Sequence, residues 1–298
     1  MFSAPIGLLR SLFPSGLPAN CFISHNYGDR ENLDALLGGL PRRVSPFIFP
    51  RIDVTPEQRV SDDLVKAILN CPGLIYIESE LTLGSFWCSF ERDYAKRALK
   101  KVFRFDIASR RFLKERSPPR PLKVFALYSH NDEELAESVC DFLESRHFKV
   151  FSRFDQFGPG VNFQQRIDES REETLADDGG FVLAFISYTS QHRKNFPKQV
   201  GDIIRSHPKR ILPVVLAPIA PDGYMIDMEL AEASMSNRRE DVERLSRKMK
   251  DDLAAIGMDF ELAPTVLFKR GGGINWNRVD DLLVRIYDMA HRAERWRD

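Results

Sequence analysis

No apolar run in the sequence approaches the roughly 18 uninterrupted residues that a membrane helix needs. An excess of basic residues is also missing, because 43 Lys and Arg residues face 43 Asp and Glu residues and the formal net charge is zero. The electrostatic footprint of a general nucleic-acid-binding protein is therefore absent. We expect a soluble chain with no membrane span and no nucleic-acid partner.

Cysteine is scarce, and its spacing excludes two further classes of protein. None of the four cysteines belongs to a C-x-x-C pair, which argues against a zinc site and against a disulfide framework. The N-terminus has no basic residue ahead of its apolar stretch and is broken by prolines, which disfavours a signal peptide. We therefore expect a cytoplasmic protein without a metal site. The cysteines are Cys21, Cys71, Cys88 and Cys140.

An internal repeat is the strongest signal that is present. The chain of 298 residues is about twice the usual length of a domain. Four short signals recur in the same order, including a strand that ends in Ser-His-Asn and the pattern F-x-R-x-D. We interpret the chain as two copies of one unit. The repeated pairs are 22–26 with 127–131, 49–53 with 151–155, 58–60 with 165–167, and 74–77 with 181–186.

The predicted elements indicate an α/β fold. Apolar strands alternate with segments of helical spacing, which is typical of a mainly parallel sheet with helices on both faces. In such sheets the chemistry collects at the carboxyl ends of the strands, where Ser24, His25 and Ser79 are expected.

The domain boundaries follow from composition. Residues 20–107 form the first domain and residues 122–298 the second, because 108–121 combines charge with prolines that favour an extended linker. The second domain is longer, and we expect a charged, helical insertion at about 222–262.

The two copies resemble the Toll/interleukin-1 receptor (TIR) domain family. In the first copy, Phe22-Ile23-Ser24-His25 is similar to the opening strand motif, and 87–91, which reads W-C-S-F-E, resembles the W-C-x-x-E helix of the family. In the second copy, 128–132 resembles the opening motif and 155–160 resembles the Pro-Gly loop after the second strand.

The resemblance implies two tandem flavodoxin-like domains and, for catalytic members, cleavage of the nicotinamide–ribose bond of NAD⁺ by hydrolysis or cyclisation. It makes NAD⁺ a substrate rather than a bound cofactor, and self-association or other TIR domains the expected partners. The chain is similar to bacterial TIR proteins of anti-phage defence. Carried over to this sequence, the catalytic residue is Glu91. The candidate substrate-binding residues are Phe22, Ser24, His25, Arg51, Ser79 and Trp87.

One carboxylate suffices for this chemistry. Cleavage of an N-glycosidic bond passes through a transition state that resembles an oxocarbenium ion, and nicotinamide leaves as a neutral molecule without a general acid. A carboxylate stabilises the positive charge that develops on the ribose. Trp87 precedes Glu91 by four residues, so both lie on one face of a helix. For Cys88 we expect a place in the core.

The second copy lacks this carboxylate. The step of 12 positions that leads from Ser79 to Glu91 leads from Ser187 to Gln199, which has no charge. Only the second copy has the Pro-Gly loop. We therefore interpret the second copy as an assembly or regulatory partner. Two interpretations of its loop stay open: the loop completes the site of the first copy, or its glycines only permit a turn. The loop residues are Phe157, Gly158 and Pro159.

Two rival interpretations stay open at this point. The first is a TIR pair that acts as a scaffold, binds other TIR domains and catalyses nothing. The second is an enzyme similar to nucleoside deoxyribosyltransferases, which also combine an α/β sheet with a glutamate at the ribose. Release of nicotinamide would separate catalysis from the scaffold, and turnover of a deoxynucleoside would favour the transferase.

Overall fold

The computed structural model of the chain describes residue 14 and residues 16–50, 60–114, 122–152, 163–176, 180–193, 195–217, 239–269 and 273–295. The chain divides into two compact units, Met1–Pro119 and Arg120–Asp298, and the division falls within the proline-rich segment 108–121. Each unit contains its own five-stranded sheet. The fold is α/β, with mainly parallel sheets flanked by helices, as the alternation of strands and helical segments predicts.

The sheet of the first unit has the strand order β2-β1-β3-β4-β5. The first four of these strands run parallel, and the edge strand β5 is antiparallel to β4. The central strands are almost entirely buried, as expected for a parallel sheet covered on both faces. The elements are β1 (Asn20–Ser24), α1 (Arg30–Gly39), β2 (Ser45–Ile48), α2 (Val60–Asn70), β3 (Gly73–Glu78), α3 (Glu80–Leu83), α4 (Phe86–Arg97), β4 (Lys101–Asp106) and β5 (Arg111–Lys114).

Strand β5 lies where the sequence predicts a linker, 108–121, and the structure differs there for two local reasons. The carboxylate of Asp106 accepts hydrogen bonds from the backbone N–H groups of Ala108 and Ser109, which turns the chain back. The ring of Phe112 then packs on Phe105, with 5.2 Å between the ring centroids. The charges and prolines of this segment indicate a linker, although its first residues form a short hairpin with β4.

The sheet of the second unit is parallel throughout, with the order β10-β9-β8-β6-β7. Counted from its own first strand, this order is 2-1-3-4-5, the doubly wound arrangement of flavodoxin-like sheets. The elements are β6 (Lys123–Leu127), α5 (Glu133–Ser145), β7 (Lys149–Phe151), α6 (Phe163–Ala176), β8 (Gly180–Ile186), α7 (Tyr188–Gln191), α8 (Phe196–Ser206), β9 (Ile211–Val215), α9 (Arg239–Ala255), β10 (Thr265–Val266) and α10 (Val279–Arg295).

Helix α9 lies within the expected insertion at 222–262, and it belongs to the core. Its residues Leu245, Met249 and Leu253 are buried in the same apolar cluster as the strands of the second sheet. Their spacing of four residues places them on one face of the helix, which explains how so charged a segment can still cover the sheet. Residues 222–238 lie outside the described part of the chain.

Within the ranges that the structure describes, no helix combines the length and the apolar character needed to cross a membrane. In the same residues, no three or more His, Cys, Asp or Glu side chains gather in a way that could hold a metal ion.

Candidate functional site

Glu91 and Ser24 meet at the end of the first strand. Helix α4 packs against β1 and β3, and this packing places Glu91 beside Ser24, the last residue of β1. The Ser24 hydroxyl donates a hydrogen bond to Glu91 Oε2 at 2.6 Å. Ser24 is fully buried and Glu91 is only 7% exposed. A carboxyl group and a hydroxyl group 67 positions apart thus form one buried pair.

Burial controls the charge of Glu91. Because the side chain is removed from water, its pKa rises from 4.5 to about 8, although the hydrogen bond from Ser24 acts in the opposite direction. The neutral form therefore dominates at neutral pH, and the carboxylate forms as the pH passes about 8. A positive charge placed beside the group would favour the carboxylate and lower this pKa.

A cavity of about 370 Å³ opens in front of Glu91. This volume lies within the range of roughly 300 to 1,000 Å³ that is typical of ligand pockets. Its wall combines aromatic rings with the single acidic side chain of Glu91, and the described wall contains no Lys or Arg. The lining residues are Ile23, His25, Asn26, Tyr27, Phe49, Pro50, Val60, Leu64, Ser85, Trp87, Cys88 and Glu91.

The indole of Trp87 lies one helical turn before Glu91 and is held by its neighbours. Its ring centroid lies 4.7 Å from that of Phe86 and 6.0 Å from that of Phe90, in edge-on arrangements. Ser85 caps the helix, and its side chain accepts a hydrogen bond from the N–H of Cys88. The start of α4 therefore presents a fixed aromatic surface beside the carboxyl group, which suits a planar or cationic ligand.

The loop after β1 forms another part of the wall and is fixed at two points. The Asn26 side chain accepts a hydrogen bond from the N–H of Gly28 at 2.9 Å and donates one to the carbonyl of Leu81. The Ser79 hydroxyl donates to Asp29 Oδ2 at 2.5 Å. These bonds attach the loop to α3, so Asn26 and Tyr27 line the cavity in a defined position.

The predicted site residues fall into two groups. His25, Trp87 and Glu91 line the cavity, and Ser24 acts through its hydrogen bond to Glu91. Ser79 does not line the cavity, because it binds Asp29 and caps α3.

Phe22 is also absent from the wall of the cavity. It is 1% exposed, and its ring centroid lies 5.9 Å from that of Phe47. Strand alternation explains this position, since Ile23, its neighbour along the strand, lines the cavity instead. Arg51 lies outside the described residues, as do Phe157, Gly158 and Pro159 of the expected assembly loop.

Sequence reasoning missed several aromatic and polar residues of the site. Tyr27 and Phe49 line the cavity, and Asp29 fixes the loop. Phe49 begins the repeated F-x-R-x-D pattern, which indicates an internal repeat and not a site, and Tyr27 and Asp29 belong to no pattern that singles them out. Cys88 is buried, as the sequence predicts, and it also lines the cavity. Burial, with a contribution from Glu91, raises the pKa of the Cys88 thiol to about 12, so it stays protonated and is a poor nucleophile.

The second unit repeats the scaffold of this site without its acid. Ser187 caps α7 and donates a hydrogen bond to Asp132 at 2.8 Å, as Ser79 does to Asp29. The buried residues of α8, however, are Phe196, Val200 and Ile203.

More residues separate Ser187 from the start of α8 than separate Ser79 from the start of α4. The fixed step of 12 positions from each serine therefore does not align the two helices. The sixth residue is Glu91 in α4 and Gly201 in α8, whereas the fixed step leads to Gln199. Neither candidate in the second unit carries a carboxyl group. The step of 12 positions and the match by helix position therefore agree that no acid occupies this position in the second unit.

Comparison with known proteins identifies one family. A family model described as "TIR domain" matches residues 124–247, which lie within the second unit. No curated protein matches the chain. A TIR domain is thus present, and the first unit, which contains Glu91, lies outside the match.

Proposed function

We propose that the first unit cleaves the nicotinamide–ribose bond of NAD⁺ with Glu91 as the catalytic residue, and that the second unit is its assembly or regulatory partner. TIR domains include NAD⁺-cleaving enzymes and non-catalytic adaptors. The observation that supports catalysis is the buried carboxyl group of Glu91 in the wall of an aromatic cavity. The absence of an acid among the buried residues of α8 supports a non-catalytic second unit.

The side chains of the cavity suit each part of the reaction. The nicotinamide ring of NAD⁺ is planar and cationic, and Trp87 and Tyr27 offer aromatic surfaces to it. As the bond between the ribose and the ring breaks, its electron pair goes to the ring nitrogen and positive charge develops at the ribose. The Glu91 carboxylate stabilises this charge, and Ser24 holds the carboxylate in place.

Chromatography of NAD⁺ incubated with the concentrated full-length protein tests the proposal and identifies the product. We expect nicotinamide together with ADP-ribose or a cyclic form of it. No nicotinamide at high protein concentration would favour the scaffold, and turnover of a deoxynucleoside under the same conditions would favour the transferase. We further propose a role in bacterial immune signalling against phage, which rests on the resemblance to bacterial TIR proteins of that kind.

Gln199→Ala is expected to leave the rate of nicotinamide release within about twofold of wild type. The reason is that Gln199 is uncharged and only half-buried, and no acid lies among the buried residues of its helix. Initial rates at equal protein concentration measure the effect. If this variant lost as much activity as a change at Glu91 while staying folded, the second unit would be a true active site.

Glu91→Gln is expected to stabilise the protein, and more so at high pH. The pKa of Glu91 is about 8 in the folded protein and 4.5 ordinarily, so the folded state binds this proton more tightly. The free energy of unfolding of wild type therefore falls as the pH rises from 4.5 to 8, by at most about 5 kcal/mol. Glutamine does not titrate and avoids this loss.

Thermal unfolding at pH 5, 7 and 9 measures the difference between Glu91→Gln and wild type. Gln199→Ala serves as the control, because it removes no titrating group. A difference in melting temperature that does not change with pH would mean that Glu91 titrates near its ordinary value in the folded protein.

A further inference from the structure

The same tripeptide, Ser-His-Asn, places its histidine differently in the two units. His25 is half-buried and lines the cavity beside Glu91. His130 is exposed, and its Nδ1 lies 2.7 Å from the carboxylate of Glu133. The residue three positions after the histidine differs, since it is Gly28 in the first unit and Glu133 in the second. His25 thus faces a site for chemistry, whereas His130 forms a surface ion pair.

The contacts of His25 fix the form of its ring. Nδ1 lies 3.4 Å from the carbonyl oxygen of Ile23, and a carbonyl can only accept a hydrogen bond. Nδ1 therefore carries the proton, and Nε2 keeps its lone pair. Burial lowers the pKa of His25, although the Ile23 carbonyl and Asp29 act in the opposite direction, so the neutral ring dominates at pH 7. The ring of Tyr27 stands edge-on to it at 5.5 Å.

We propose that His25 is the general base that activates water in the second half of the reaction, an inference that rests on the proposed function. After nicotinamide has left, the oxygen of a water molecule forms a bond to the ribose carbon that carried the ring. One proton of that water passes to Nε2 of His25, and the imidazolium then returns it to solvent. The reaction needs no other co-reactant.

In this proposal His25 and Glu91 act in different steps of the reaction. Glu91 acts while the bond to nicotinamide breaks, and His25 acts only on the molecule that attacks afterwards. A nucleophile with no proton to lose, such as the ring nitrogen of a pyridine, needs no base. His25 therefore controls the partition between water and a pyridine.

The test measures this partition in the full-length protein. NAD⁺ is incubated with an added neutral pyridine, 3-acetylpyridine, and the ratio of exchanged dinucleotide to ADP-ribose is determined by chromatography. We expect His25→Asn to raise this ratio at least about tenfold, because general bases contribute roughly 10²- to 10⁴-fold. Total consumption of NAD⁺ is measured alongside and should fall, because water attacks more slowly without the base. The matched control, His130→Asn, should leave both quantities unchanged.

The possible results are distinct. An active His25→Asn protein with an unchanged ratio would show that His25 only shapes the cavity, which overturns the proposal. His25→Gln provides the same test if the asparagine variant does not fold. If wild type releases no nicotinamide, the proposed function fails and the role of His25 fails with it. If nicotinamide is released and the ratio does not respond to either variant, only the role of His25 fails.

Discussion

Glu91→Gln is expected to lower the rate of NAD⁺ cleavage by about 10²- to 10³-fold, the typical cost of losing one group that stabilises a developing charge. Glutamine has nearly the same shape, and its carbonyl can still accept the hydrogen bond from Ser24. At pH 9, where Glu91 is ionised, the substitution therefore removes the negative charge and little else. No other acidic side chain lines the described part of the cavity, so no neighbour replaces it.

Nicotinamide release by the purified variant at saturating NAD⁺ measures this loss. Glu80→Gln is the matched control, because it makes the same chemical change in the same unit at an exposed position on α3. The control should keep the activity of wild type. A Glu91→Gln protein within a few-fold of wild type would remove Glu91 from the mechanism.

The ratio kcat/KM for NAD⁺ is expected to rise about tenfold per pH unit up to pH 8 and then to level off. The active form of Glu91 is the carboxylate, and burial raises the pKa of this group to about 8. Since kcat/KM reports on the free enzyme, it follows the fraction of free protein in which Glu91 is ionised. Between pH 6 and pH 9 the total change should be about 100-fold.

Initial rates at NAD⁺ concentrations far below KM, from pH 6 to pH 10, provide this profile. Ser24→Ala offers an internal check on its cause. The hydrogen bond from Ser24 lowers the pKa of Glu91, so its loss should move the midpoint of the profile to higher pH. A profile that is flat or that falls with pH would contradict a role for the Glu91 carboxylate.

The sequence could predict where Glu91 lies on its helix, but not what it touches. The W-C-x-x-E pattern places Trp87 and Glu91 on one face because a helix repeats every 3.6 residues. Ser24 is 67 positions away, and its contact with Glu91 depends on how α4 packs on the sheet. No local pattern carries that information. The raised pKa of Glu91 could not be predicted from the sequence either, because it follows from burial.

Ser79 shows the opposite case, because the sequence does contain a local signal for its role. That signal is a serine at the start of a helix, and it indicates a helix cap rather than a ligand-binding residue. The end of a strand is a common place for ligand-binding residues, which is why the sequence predicts that Ser79 binds substrate. Ser79 and Thr82 instead form a capping box, in which each side chain binds the backbone of the other residue. Serine at the start of a helix is commonly a cap, and the same pattern at Ser187 pointed that way.

The two histidines also differ for a reason that can be read in the sequence. Helical and near-helical segments bring residues three positions apart together, so His130 forms an ion pair with Glu133. Gly28 offers His25 no such partner, and His25 lies against Ile23 and Tyr27. The short strand β5 was harder to foresee, because its hairpin depends on the contact between Phe112 and Phe105.

The four buried cysteines make the two units separately observable. Cys21, Cys71 and Cys88 belong to the first unit and Cys140 to the second, and each is 5% exposed or less. Burial raises the pKa of every one of these thiols, so alkylating reagents find almost no thiolate in the closed protein. Cys88 lines the cavity, so Cys21 and Cys140 are the better reporters. Their alkylation must wait for local opening, and its rate at each of them reports the free energy of that opening. Peptide mass spectrometry can thus follow the local opening of each unit through the natural cysteines, without an engineered probe.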